Sequence, residues 1–199
     1  MTSRKYSNIR IVLCYLAAFI LQPHPRLAAE QSELGHLPVV SFPFTSDGRV
    51  PSPNKKWTLV FECPKNCSER LLSLEDDVSH TKRLVAKYER NLDVSWSPDS
   101  GKFFVTDDYG SDGSLSYVYD AISLKRTDLA HLLVASNPDA AKFLKAGHAY
   151  LRALQWLGPR ELLVHLGGHF DEPPPRGFSF QYRINLNGRV DRLPVNATR

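Results

Sequence analysis

One phrase recurs three times along this chain, and it constrains the fold more than any other feature. Its clearest copy spans residues 94–106 (VSWSPDSGKFFVT): a tryptophan, a Ser-Pro-Asp-Ser-Gly turn, then a short apolar strand. A worn copy lies at residues 52–61 (SPNKKWTLVF) and a fainter one at residues 154–164 (LQWLGPRELLV). Self-similarity at a period of about 40–50 residues is the mark of repeat architectures, in which each unit buries its apolar face against the next. The turn has its own chemistry. Asp or Asn after proline bonds its own backbone, and the tryptophan beside it has the size to fill a seam between sheets.

The first 29 residues stand apart from this pattern. Arg4, Lys5 and Arg10 precede an unbroken apolar run from Ile11 to Leu21, followed by QPHPR and a small-residue exit at Leu27-Ala-Ala29. That order predicts a secretory signal peptide over residues 1–29. A permanent anchor is the competing reading. Eleven residues of helix reach roughly 16 Å, about half of a hydrocarbon core, and Pro23 and Pro25 bar extension. Cys14 lies inside the apolar run behind Leu13, where a lipoprotein signal would want a small residue.

Cleavage changes the electrostatics. The chain has 25 Lys plus Arg against 21 Asp plus Glu, and four of the bases (Arg4, Lys5, Arg10, Arg26) lie in the leader with no acid. The remainder is therefore neutral, which speaks against nucleic acid as a partner. Two cysteines stay with the mature chain, Cys63 and Cys67 in CPKNC. In an oxidising compartment they are expected to form a local structural disulfide. A redox pair would more often be Cys-x-x-Cys at a helix start, and zinc would want further ligands at matching spacing.

Residues 30–36 read as a polar, flexible start and residues 37–199 as one domain. Strands are predicted at 37–42, 57–62, 70–74, 81–88, 92–96, 102–106, 115–120, 153–157, 161–166, 178–186 and 189–193. The Asn187-Gly188 turn is the strongest hairpin cue. From Pro53 to Pro98 the spacing is 45 residues, but from Pro98 to Pro159 it is 61. The excess carries helix signals. Asp128 can cap 129–135, and Asn137 with Pro138 can open a second helix through Lys145, so a helical insertion is expected over 128–147.

The stretch 96–105 (WSPDSGKFFV) resembles the WD40-like, TolB-type β-propeller repeat, whose Trp-Ser-Pro-Asp-Gly turn precedes the second strand of each blade. Ser100 adds a residue before Gly101; the first copy has Asn54 for Asp; the third keeps only Trp156 and Pro159. The resemblance covers most of residues 50–193. It implies an all-β, propeller-like array of about three antiparallel units, with a β-sandwich as the structural alternative. It also implies a platform for binding partners rather than one activity. Three units are fewer than the four to eight that usually close a propeller. Either degenerate segments supply a fourth, the array stays open, or two chains share a ring.

Two loops carry the candidate binding residues: Asp107, Asp108, Tyr109 and Asp112 in the second unit, and His165, His169, Asp171 and Glu172 in the third. The first group fails as an EF-hand, since counting from Asp108 puts Gly110 third and Tyr119 twelfth. The second is the densest set of metal-ligand types in the chain, and Pro173-Pro174-Pro175 stiffens its loop. There is no Gly-x-Ser-x-Gly elbow. The expectation is an exported, non-catalytic protein-binding or scaffolding module with a protein partner and no cofactor. It would be periplasmic or secreted, free of a stable membrane anchor, and open to self-association. The alternatives are a metal-assisted hydrolase using His165, His169 and Asp171, and an accessory or inhibitory subunit of a secreted enzyme.

Overall fold

The computed structural model describes residues 37–42, 48–63 and 70–194. The expected signal peptide, the segment 30–36, and Cys67 lie outside them. The strands are β1 (Val40–Phe42), β2 (Gly48–Pro51), β3 (Trp57–Glu62), β4 (Arg70–Asp76), β5 (Lys82–Tyr88), β6 (Asn91–Trp96), β7 (Lys102–Asp108), β8 (Gly113–Asp120) and β9 (Arg126–Asp128). Two helices follow, α1 (Leu129–Ser136) and α2 (Ala140–Leu144), and then β10 (His148–Gly158), β11 (Glu161–Phe170), β12 (Arg176–Asn185) and β13 (Val190–Leu193). Antiparallel pairing groups them into three four-stranded meanders, β2–β5, β6–β9 and β10–β13. Four-stranded meanders are the units from which propeller blades are made. The chain is all-β, a propeller-like array of three units with a short helical insertion.

Alternation along β7 shows how the units pack. Phe103 and Val105 point into one core with Leu59, Phe61, Leu72 and Leu74 of the first unit. Phe104, between them, points into a second core with Leu151, Trp156, Leu162, Val164 and Tyr182 of the third. Successive strand residues face opposite sides of a sheet, so the middle unit is buried on both faces. Two cores separated by a sheet make three layers, one more than the two-layer β-sandwich allows. The face turned away from both cores is polar along β12 of the third unit and mixed on the first, where Val60 and Leu84 lie among charged residues. Arg49 pairs with Glu75 at 2.9 Å on the first unit, and Ser179, Gln181 and Arg183 are exposed on the third.

The tryptophans seal the seams. Trp96, 3% exposed, donates its indole N–H to the Val50 carbonyl of the first unit at 3.1 Å. Trp156, 4% exposed, donates in the same way to the Ser95 carbonyl of the second unit at 3.1 Å. Each reaches back one unit. The first copy of the phrase differs. Matching Ser52-Pro53-Asn54 with Ser97-Pro98-Asp99 puts Pro51 at the tryptophan position, and Trp57 lies beyond the turn on β3, where Arg83 covers its ring.

Both turns use one hydrogen-bond scheme. Ser52 Oγ donates to Asn54 Oδ1 and accepts from the Trp57 amide, as Ser97 Oγ donates to Asp99 Oδ1 and accepts from the Lys102 amide. The fourth residue of each is left-handed, Lys55 at φ 56° and Ser100 at φ 61°. A second recurring turn closes the last hairpin of every unit, of which the sequence marks only the Asn187-Gly188 copy. Asp76, Asp120 and Asn185 each accept from backbone amides two or three residues on, and His80, Leu124 and Gly188 follow in the left-handed region.

The insertion falls where its caps predict. Asp128 Oδ1 accepts from the Ala130 and His131 amides at 2.8 and 3.2 Å and starts α1. The second helix begins at Ala140 rather than Asn137, because residues 137–139 form the turn between the two. Leu129, Leu133 and Ala140 are buried in the second core. The strand expected at 37–42 shortens to β1, which pairs with β6. The turn expected over Gly167–Gly177 also contracts: β11 runs on to Phe170 and β12 starts at Arg176. The glycines there permit close approach instead of breaking the strand. The His165 ring lies over Gly167, and Gly168 (φ 155°) sits where a Cβ would meet the His148 carbonyl.

Trp96→Ala and Trp156→Ala are each expected to cost about 3–5 kcal/mol in urea unfolding, and the Phe variants, which lose only a donor and some bulk, about 1–2 kcal/mol. Lys55→Gly should gain about 0.5–1 kcal/mol, since the relief of a left-handed side chain exceeds glycine's added chain entropy; Lys55→Val should lose at least as much.

Candidate functional site

The two loops singled out in the sequence meet at one end of the array, and β10 joins them. Its first residues pair in parallel with the start of β8, Ala149 opposite Gly113 and Tyr150 opposite Ser114. The Ala149 amide donates to the Asp112 carbonyl at 2.9 Å and the Tyr150 hydroxyl to the Ser111 carbonyl at 2.6 Å. On its other edge β10 pairs with β11, placing His148 opposite His169 and Arg152 opposite His165. The strand is long enough to touch both turns because its inner end is held by side chains. Ser116 Oγ donates to the Leu151 carbonyl at 2.8 Å and accepts from the Ala153 amide at 2.9 Å, with Thr106 Oγ1 2.7 Å away. Buried hydroxyls here take over the backbone partners that the parallel ladder stops supplying.

Arg152 clamps this end. Its guanidinium donates to Asp93 Oδ2 at 3.0 Å and to Asp108 Oδ1 at 2.6 Å, tying β10 to β6 and β7. Asp93 also accepts from Ser41 Oγ at 2.6 Å, so β1 joins the same network. Charge-assisted bonds from a planar guanidinium are short and directional, and this one fixes three strands relative to one another.

The sequence-predicted residues are sorted differently from their order in the chain. Asp107 and Asp108 belong to β7 rather than to a loop, and the turn itself is confined to Tyr109–Asp112. As neighbours on a strand they face opposite sides. Asp108 meets Arg152. Asp107 turns toward a cavity of about 220 Å³ lined by Val85, Lys87, Tyr117, Tyr119 and Arg126, among others. Its Oδ1 is buried without a hydrogen-bond partner among the described residues. Burial first, then the charges of Asp108 and Glu89, push its pKa up to about 6. Tyr109 is 49% exposed, and burial of its inner part with the nearby Asp112 and Asp107 raises its pKa.

In the third unit the loop histidines separate in role. His165 Nε2 lies 2.9 Å from Ser179 Oγ on the exposed face of β11, and burial with the Arg152 charge lowers its pKa. His169 is matched instead with His148, their rings 4.2 Å apart between centroids, and Asp171 Oδ1 lies 3.9 Å from His148 Nε2. Glu172 is exposed in the turn that follows. His148 was absent from the sequence reading, which began this strand at Ala153. The signal that could have found it is the alternation His148, Tyr150, Arg152, which runs on from the predicted strand in the same period. Cys63 is disulfide-bonded at the end of β3. Cys67 lies outside the described residues, so the pairing of the two remains a proposal.

No family model matches the chain, and no curated protein sequence does. Solved structures similar to it include the β-propeller domain of the Trilobed protease from Pyrococcus furiosus, described as having an open velcro topology. That similarity has 11% identity, covers 74% of this chain and 42% of that one, and has a TM-score of 0.48. TolB from Acinetobacter baumannii is similar at 15% identity over 77% of this chain and 33% of that one, with a TM-score of 0.45. The chain spans less than half the length of either structure.

Asp107 yields a pH prediction with a definite sign. A carboxyl whose pKa is raised in the folded state holds its proton more tightly there, so its contribution is most favourable below about pH 4 and is lost as pH rises through about 6. Asp107→Asn is expected to stabilise the protein at pH 7 by about 1 kcal/mol, solvent at the other oxygen cutting the full effect, with no gain at pH 4. Urea midpoints at the two pH values check this.

Proposed function

We propose that the chain is an exported, non-catalytic binding or scaffolding module that engages a protein partner in the periplasm or extracellular space. Its contact surface is the end of the array where the Tyr109–Asp112 turn and the loop 171–175 come together. The observation that carries this reading is the bracing of both loops by one strand. Tyr150 holds the Ser111 carbonyl, Arg152 holds Asp93 and Asp108, and β11 delivers the second loop directly beside β10. Loops fixed in this way present side chains without a large ordering cost on association. The exposed ring of Tyr109 and the proline-stiffened loop supply the rigid, amphipathic contact area favoured at interfaces. The disulfide-bonded state of Cys63 and the leader-like residues 1–29 support export. An accessory or inhibitory subunit of a secreted enzyme is one form such a module takes, with a stoichiometric complex as its signature.

The test is affinity capture from the host's periplasmic or secreted fraction, run in parallel with the chain and with a Tyr109→Ala, Glu172→Ala double variant. One stoichiometric partner retained by the first and reduced at least tenfold with the second is the expected result. An empty capture overturns the reading, and equal retention by both removes this end of the array as the contact surface.

A further inference from the structure

The geometry points to a transition-metal site of zinc type formed by His148, His169 and Asp171, a ligand set distinct from the His165–His169 pairing that sequence spacing suggests. It goes beyond the binding role proposed above and stands or falls independently of it. One ligand atom from each of the three residues lies within 4.8 Å of the others. A tetrahedral zinc with bonds of about 2.0–2.1 Å wants neighbouring ligand atoms roughly 3.3 Å apart, so modest side-chain rotation at a partly exposed site closes the set.

Three features of the backbone produce this convergence. His148 and His169 are direct partners across the β10–β11 ladder, the relation that brings two side chains on one face into contact. The chain then turns after Phe170 and folds Asp171 back over Gly147, the residue just before His148; its carboxylate fills the space that a Cβ at Gly147 would take. Gly168 lets β11 approach the His148 carbonyl more closely than any side chain would permit. His148 is thereby aimed at one point with His169 and Asp171, which lie 21 and 23 residues further along the chain.

The protonation pattern suits ligation. The Tyr150 hydroxyl commits its proton to the Ser111 carbonyl at 2.6 Å, so in its long 3.5 Å contact with His148 Nδ1 it can only accept. With the ring proton directed at that acceptor, Nε2, the atom facing Asp171, is the nitrogen available to a metal. An outer hydrogen bond that fixes the tautomer of a metal-binding imidazole is a regular part of such sites. Two nitrogens and one carboxylate oxygen select zinc and its late first-row neighbours over calcium or magnesium, which favour all-oxygen sets. Three protein ligands leave a fourth position open on the solvent side.

The test uses chain expressed from the complete sequence, purified without a polyhistidine tag, and titrated with zinc alone by calorimetry. Cobalt absorption serves as the geometric readout. One equivalent of zinc and a four-coordinate cobalt spectrum are expected for the native chain. His148→Ala and His169→Ala should each weaken binding at least tenfold. Gly147→Ala should also weaken it, although all three donors are then still present, because the added methyl displaces the Asp171 carboxylate. His165→Ala should bind as the native chain does. No stoichiometric binding by the native chain overturns the site whatever the variants do. Equal loss in His165→Ala, with far-UV circular dichroism unchanged, overturns the ligand set.

Discussion

The array depends on a bond that each unit makes to the one before it. A β-meander exposes two faces that must be buried against neighbouring elements, so three of them stacked in one chain need a specified seam. Trp96 and Trp156 supply it, each burying its ring between units while its indole N–H binds a carbonyl on the first strand of the preceding unit. The area buried makes the seam favourable, and the hydrogen bond fixes its register, since a slip of one residue would strand a buried donor. Pro51 holds the corresponding place in the first unit, which has no described unit before it to reach. The tryptophan is therefore a property of seams rather than of units.

This explains why the sequence showed some copies and not others. Residues 96–101 had both parts of the phrase, the seam tryptophan and the Ser-Pro-Asx turn, and were legible at once. Residues 52–57 kept only the turn, and Trp57, which looked like the shared tryptophan, is a strand residue covered by Arg83. At 156–161 the seam survives and the turn has been replaced. Of the three last-hairpin turns only Asn187-Gly188 carried a recognisable cue, because what all three share is one Asx followed by a left-handed residue, a place taken by His80, Leu124 and Gly188 in turn. The first two units share the backbone hydrogen bonds of this turn, and the third closes it one residue sooner on glycine.

The candidate site was legible by half. Asp171 and His169 were singled out as ligand types close in sequence, a fair guide within one turn. His148 lies 21 residues upstream of His169 and meets it only through strand register, which requires β10 to begin five residues before its apolar core signal. Asp107 and Asp108 looked like a single acidic pair; the pleat sends one to a cation and the other to a cavity with no partner for its inner oxygen among the described residues. Local spacing conveys which residues share a turn, and long-range pairing decides which of them share chemistry.

Charged and amide side chains on the outward faces of the first and third units give the array an end. In a closed propeller every face is an internal one, and the number of blades is set by the angle at which the ring meets itself. Here Arg49 with Glu75 at one side, and Ser179, Gln181 and Arg183 at the other, occupy the positions where a further sheet would have to dock. Covering the exposed Ser179, Gln181 and Arg183, or the half-exposed Arg49, with an apolar sheet would take polar groups from water without replacing their hydrogen bonds. Stacking of an apolar sheet on these positions is thus costly in solvation, and the described units end on them much as a solenoid ends on its polar caps.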